Sequence, residues 1–289
     1  MALILEGKSL AEQIRAEVRT EVAELTRRGV VPRLQVALVG EDAPSQSYVR
    51  SKEKSCAEVG IASDTARLPV TFGQAELLGL IGRWNQDPKT HGILVQLPLP
   101  DQIDPDVVLA ALDPRKDVDG LSPFNLGRII SGEPYFYPAT PSGVLEMLRR
   151  HGIIYAGKHV VVVGRSELVG KPLANMLLQK RETGSATVTV CHSQTPDIGY
   201  FTRQADILVA AVGMPGLISA EMVKPGAVVI DVGINRVPGA TGTKLVGDVD
   251  FPAVSQTASA ITPVPGGVGL MTVAMLLKNT VHAAKINSM

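Results

Sequence analysis

The chain has 289 residues, of which 45% are hydrophobic and 19% charged, the proportions of an ordinary globular protein. Lys+Arg and Asp+Glu both total 28, so the formal net charge is zero and no basic field argues for nucleic acid or an acidic membrane surface. The two cysteines, Cys56 and Cys191, are too few for a disulfide framework and lack metal-ligand spacing, so no metal site is expected.

The opening MALILEGKSLAEQ has too short an apolar run for a signal peptide, and no segment offers about 18 uninterrupted apolar residues for a membrane span. A cytoplasmic protein without a membrane partner is expected. At roughly 100–200 residues per domain the length suggests two domains, with one large domain as the alternative.

In chain order, Ser9 to Arg28 places Leu10, Ile14, Val18, Val22 and Leu25 on one helical stripe, with Gly29 as the stop. LQVALVG (34–40) is a predicted buried strand, and SYVRSKEKSC (47–56) lies on a helix that runs to Gly60. A further helix is predicted over Gly73 to Asn85, and HGILVQLPLP (91–100) is a strand ending in a proline-bounded turn. A second series begins at HVVVVG (159–164) and continues through ATVTV (186–190), ADILVAAVG (205–213), AVVIDVG (227–233) and the short LVGDV (245–249). Buried strands alternating with amphipathic helices predict parallel βαβ units.

The Pro- and Gly-rich GEPYFYPATPSG (132–143) marks a boundary near residue 140. The expected fold is α/β with two lobes: an N-terminal βαβ domain over residues 1–140 and a Rossmann-like, doubly wound domain over 141–270. The closing helix, within 271–289, is expected to pack back on the first domain. A cleft between the lobes is the expected site for a small molecule facing a cofactor.

On the predicted helix Val49, Cys56 and Val59 share an apolar sector, and Lys52 projects into the middle of it. Tyr48 lies one turn earlier, whereas Arg50, Lys54 and Glu58 face solvent. An inward lysine either snorkels to the surface or sits in a cleft, where desolvation favours a neutral amine. Gln96, at a strand's carboxyl end, is either a partner for such a lysine or a residue pinning the turn. KDVDG (116–120) reads as a side-chain-capped loop, and ITPVPGGVGLMT (261–272) as a backbone wall for a flat ligand or a tight loop.

VVVVGRSELVGKP offers a glycine at a strand end and a second opening a helix, which suits phosphate but also an ordinary tight connection. The next strand ends in Cys191-His192-Ser193-Gln194-Thr195 without a carboxylate before Asp197. With no acid for the ribose 2′-hydroxyl and Arg165 available for a 2′-phosphate, NADP is favoured over NAD; a plain surface arginine is the alternative.

Nine segments in order, SQSYVRSKEKSC, GILVQLPLP, KDVDG, PATPSG, VVVGRSELVGKP, TVTVCHSQT, DVGIN, GDVDF and TPVPGGVGLMT, closely resemble the bifunctional methylenetetrahydrofolate dehydrogenase/methenyltetrahydrofolate cyclohydrolases. The resemblance implies NADP-dependent oxidation of 5,10-methylenetetrahydrofolate, hydrolysis of the methenyl product to 10-formyltetrahydrofolate, and a homodimer joined mainly through the cofactor domain. It places the chain in one-carbon metabolism, serving purine biosynthesis. It also implies that Lys52 activates water or shuttles a proton, that Gln96 polarises it, that Tyr48 contacts the folate, and that Asp119 anchors the pterin while Asp117 is structural. By the same resemblance Gly164, Arg165 and Ser166 cradle phosphates, His192 and Ser193 lie near the 2′-phosphate, Ile234 lines the nicotinamide pocket, and Pro265, Gly266 and Val268 wall the folate.

Two positions depart from the family pattern. PATP (138–141) stands where PCTP is usual, and GLMT (269–272) where GPMT is usual. A shikimate-type NADP-dependent hydroxy-acid dehydrogenase is the nearest rival, and it predicts no hydrolytic step. A nucleotide-sensing regulator would leave Lys52 and Gln96 without purpose.

Overall fold

The computed structural model describes residues 1–180, 184–239 and 242–288; Met289, at the end of the expected closing helix, lies outside the described residues. The chain divides into two compact units, Glu12–Ala139 with Val273–Met289, and Met1–Ala11 with Thr140–Thr272.

The chain opens with β1 (Leu3–Ile4) and α1 (Gly7–Arg27), whose predicted stripe from Leu10 to Leu25 is buried throughout. Then follow β2 (Arg33–Val39), α2 (Ala43–Val59), β3 (Ala62–Leu68), α3 (Gln74–Gln86), β4 (Gly92–Val95), α4 (Pro105–Ala110) and α5 (Pro123–Ser131). In this first unit β2 is central, with β3 and β4 parallel on its two sides. The chain leaves β2 for one side and returns on the other. The carboxyl ends of β2 and β4 therefore form a switch point, where open α/β sheets collect functional side chains. Ala37, Val39, Ile93 and Val95 pack there against Leu77 and Ile81 of α3 and against Ile103, Val108 and Leu112.

In the second unit come α6 (Ala139–Arg150), β5 (His159–Val163), α7 (Gly170–Leu178), β6 (Thr187–Cys191), α8 (Ile198–Thr202), β7 (Ile207–Ala210), β8 (Val228–Asp231), β9 (Asn235–Gly239), β10 (Gly242–Val246), α9 (Phe251–Thr257) and β11 (Ala260–Ile261). The closing helix, α10 (Val268–Asn287), starts in this unit and ends in the first. The main sheet runs β1-β11-β8-β7-β5-β6, every pair parallel. With β6 and β7 on either side, the carboxyl end of β5 is a second switch point.

Two sequence expectations need correcting. LVGDV (245–249) is not a member of the parallel series: β10 pairs antiparallel with β9 as a separate hairpin. Half-buried Leu245 and Val246 pair within that hairpin, while residues 247–249 are buried and Val249 reaches the unit's core through a single parallel bridge to Ile218. Residues 1–11 group with the second unit, because β1 adds to β11 with Leu3 opposite Ala260. β3 was not anticipated; ASDTARL is only partly buried and carries no apolar run. Among the described residues no helix is long and apolar enough to cross a membrane.

Candidate active site

The first unit builds its site on α2. Asp42 caps the helix by accepting from Ser45 N at 2.8 Å, and Gly60, with φ 85°, ends it. This fixes the face that carries Lys52 inward. Lys52 does not snorkel: it is 8% exposed, and its Nζ donates to Gln96 Oε1 at 3.1 Å. Gln96 in turn donates from Nε2 to the Leu97 carbonyl at 2.7 Å, while its backbone N–H reaches Ala37 O at 2.9 Å. The amide's orientation, and hence the acceptor shown to Lys52, is thereby set. Arg50 and Lys54 are exposed, and Tyr48, one turn before Lys52, is 38% exposed.

Burial dominates the electrostatics. It drives the Lys52 ammonium toward the neutral amine, against the pull of the Asp119 carboxylate. It likewise raises the Asp119 carboxyl, with Lys52 opposing and Asp117 adding to the rise. Burial also pushes the Cys56 thiol up to about 12, so a thiolate nucleophile beside Lys52 is disfavoured.

Asp119 is presented by a loop whose rigidity the sequence only partly disclosed. Fully buried Asp117 accepts from Gly120 N at 3.0 Å, Leu121 N at 3.2 Å, Ser122 N at 2.8 Å and Asn125 Nδ2 at 2.9 Å. Gly120 has φ 71°, and a Cβ there would approach Pro138 N to 2.8 Å. Lys116 donates to the carbonyls of Trp84, Asn85 and Asp87 at 3.1, 2.7 and 2.8 Å, tying the loop to the end of α3. From α10, Asn279 Nδ2 reaches Val118 O at 2.8 Å. Lys116, Asn125 and Asn279 escaped the sequence reading because their partners are unpatterned carbonyls and a distant loop.

In the second unit Gly164, Arg165 and Ser166 stand at the carboxyl end of β5. Gly164 N–H bonds Cys191 O at 2.8 Å, and its φ of 128° suits glycine. A Cβ on it would run into the Ala211 carbonyl, and one on Gly170 would run into the carbonyl of Gly164. α7 therefore starts hard against the strand end, and no side chain caps its N-terminus. Arg165 and Ser166 are exposed. His192 and Ser193 occupy the adjacent end of β6, where His192 N–H bonds Thr195 Oγ1 at 3.0 Å. Asp197, the next carboxylate, accepts from Tyr200 N at 2.9 Å as the cap of α8, so it is committed locally. A helix start hard against the strand end and an exposed arginine, with no carboxylate at the end of β6, fit a phosphorylated dinucleotide.

Ile234, 41% exposed, follows β8, and a Cβ on Gly269 would lie 3.1 Å from its Cδ1. Pro265, Gly266 and Val268 belong to this same unit rather than to the one holding Lys52, Tyr48 and Asp119. Gly266 O accepts from Gly7 N at 2.8 Å, while Val268 is only 2% exposed, its side chain in the core. Of the two departures, Ala139 is buried at the start of α6 and Leu270 is partly exposed on α10. The sequence reading also missed Asp231 and Asp248, which are buried together beside Ile234.

Residues 5–119 match the catalytic domain of tetrahydrofolate dehydrogenase/cyclohydrolase, and residues 138–288 match its NAD(P)-binding domain. The bifunctional protein FolD of Moorella thermoacetica is 58% identical over 284 residues, covering 98% of this chain and 99% of that one. The crystal structure of the bifunctional FolD enzyme from Campylobacter jejuni superposes with a TM-score of 0.94 at 46% identity, covering 99% of both chains. The Trypanosoma brucei dehydrogenase-cyclohydrolase, solved with NADP cofactor and an inhibitor, gives 0.94 at 42% identity over 99% of this chain and 98% of that one. A shikimate dehydrogenase from Listeria monocytogenes, at 14% identity and a TM-score of 0.52, shares the fold alone. Two domain matches in order and relatives alike from end to end give one answer: the chain belongs to the tetrahydrofolate dehydrogenase/cyclohydrolase family.

Proposed function

We propose that this protein oxidises 5,10-methylenetetrahydrofolate with NADP⁺ and hydrolyses the resulting methenyl compound to 10-formyltetrahydrofolate, with Lys52 handling the proton of the second step. The observation that carries the reading is the buried Lys52 amine, held on Gln96 Oε1 at 3.1 Å and biased toward neutrality beside Asp119.

NADP⁺, when bound, supplies the acceptor for the hydride that leaves the methylene carbon. Gly164, Arg165 and Ser166 hold its phosphates, His192 and Ser193 lie by the 2′-phosphate, and Ile234 offers an apolar surface to the nicotinamide. The preference for NADP over NAD rests on exposed Arg165 and on the commitment of Asp197 to its helix cap.

Hydrolysis needs no metal or covalent nucleophile, because the methenyl carbon shares its positive charge with two nitrogens and is already electrophilic. Water attacks that carbon while neutral Lys52 accepts one water proton. The bond from carbon to N5 then breaks, N5 takes the second proton, and the first passes from Lys52 to solvent. Gln96 keeps the amine in place, Asp119 anchors the pterin, and Tyr48 contacts the folate. Pro265, Gly266 and Val268 contact the substrate through backbone or ring atoms, since the Val268 side chain is buried.

The working form is a cytoplasmic homodimer supplying formyl groups for syntheses such as that of purines. Among the described residues β6 ends the sheet, with Val190 exposed, and this edge supports an interface in the second unit. The test is to mix purified protein with methylenetetrahydrofolate and NADP⁺ and follow NADPH, methenyl and formyl products separately. All three signals in sequence are expected; NADPH without formyl product would overturn the hydrolytic half.

A further inference from the structure

Beside Ile234, two carboxylates are buried in a reciprocal lock. Asp231 Oδ1 accepts from Gly233 N at 3.0 Å and Asp248 N at 2.9 Å, and its Oδ2 accepts from Val249 N at 3.0 Å. Asp248 Oδ2 accepts from Val212 N at 2.6 Å and Gly213 N at 3.0 Å, and its Oδ1 accepts from Asn235 Nδ2 at 2.9 Å. Space is exchanged in the same way. A Cβ on Gly247 would collide with the Asp231 carboxylate, and one on Gly233 with that of Asp248. The backbone N–H of Asp231 itself is bonded to Thr262 Oγ1 at 2.7 Å.

Two like charges in one cage are costly. Burial, with Asp248 adding to it, raises the Asp231 carboxyl to about 6 even though backbone donors oppose the rise. An amide offers one acceptor oxygen where each of these carboxylates uses both against three N–H donors, so the cost is tied to fixing these segments. The geometry shows what they fix. Ile234 lies between Gly233, bonded to Asp231, and Asn235, bonded to Asp248, so both neighbours of an exposed isoleucine are pinned. The same Asp248 fixes the turn after β7, next to the switch-point strand β5.

We infer that Asp231 and Asp248 are positioning residues for hydride transfer. They hold the Ile234 segment and the 212–213 turn as a rigid support for the nicotinamide ring, and the hydrolytic step does not depend on them. This rests on the functional reading given above.

In Asp248→Asn an amide N–H₂ must face either the Asn235 amide or the two backbone donors, so the support loosens. In the full-length protein the kcat for NADPH formation is expected to fall about tenfold, the scale of a misplaced reacting group. Hydrolysis of supplied methenyltetrahydrofolate should stay within about twofold of wild type, because Asp248 shares no hydrogen-bond partner with Lys52, Gln96 or Asp119, which belong to the other compact unit. Asn235→Ala removes one donor and leaves both carboxylates caged, so it should shift kcat the same way by about threefold, one hydrogen bond's worth. Combined with Ile234→Ala, Asp248→Asn should add little further loss, since both act on one support. Equal losses in both activities, an unchanged kcat in both variants, or full additivity with Ile234→Ala would overturn the inference. A wild-type protein that reduces no NADP⁺ would instead overturn the functional reading, and this inference with it.

Discussion

At the scale of single side chains, the proposed function rests on Lys52 for proton handling and on Arg165 for the 2′-phosphate. Burial lowers the Lys52 pKa, and the opposing attraction of Asp119 is the smaller influence. The cyclohydrolase pH profile should therefore rise with deprotonation of Lys52 at a pH below that of an ordinary lysine. Lys52→Arg keeps the positive charge but cannot give up its proton, so hydrolysis should be lost across the whole range. A Lys52→Arg protein that hydrolyses at the wild-type rate would mean that charge alone suffices. For Arg165, removal of the guanidinium strips a donor from the 2′-phosphate and nothing from a bare ribose. Arg165→Ala should raise the Michaelis constant for NADP⁺ more than that for NAD⁺, and a parallel rise in both would argue against 2′-phosphate recognition.

At the scale of elements, α6 depends on a charge cluster at its end. Glu146 accepts from Arg149 Nη2 at 2.7 Å and Arg150 Nε at 2.6 Å. Burial alone would raise its carboxyl, but the two arginines outweigh it and hold the pKa at about 2. A depressed carboxyl stabilises the fold above its unfolded value of about 4.3, and that stability is lost as pH falls toward 2. Glu146→Gln should thus cost about 1 kcal/mol at neutral pH, discounted for the exposed Arg149 partner, and only a small part of that at pH 2, where the carboxyl is about half protonated. Denaturant titrations of both proteins at the two pH values check this. Elements also mark the limit of sequence reading. β5, β7 and β8 were legible because strands buried on both faces read as Val/Ile runs. β3 was not, since its partial burial leaves Asp64 and Arg67 exposed, and the two-residue β1 and β11 have no period to read. The inward face of Lys52 followed from helical projection. The caging of Asp231 by a glycine sixteen positions away did not, because local spacing carries no information on such a pairing.

At the scale of the whole molecule, buried Lys52 and Gln96 fall in one compact unit, within the catalytic-domain match, and the glycine turn after β5 falls in the other, within the NAD(P)-binding match. Composition gave no electrostatic argument for nucleic acid or an acidic membrane surface, and the joint order of nine short segments, not any one of them, made the activity legible. Each segment alone admits an ordinary structural reading, as the strand–glycine–helix turn does. The proposed function depends most on Lys52 as the proton-handling group of the hydrolytic step. Its most direct test is the decay of supplied methenyltetrahydrofolate with wild type and Lys52→Met, with NADP⁺ affinity measured on both. Decay at the uncatalysed rate in the variant with unchanged NADP⁺ affinity is expected; hydrolysis at the wild-type rate by Lys52→Met would contradict that role.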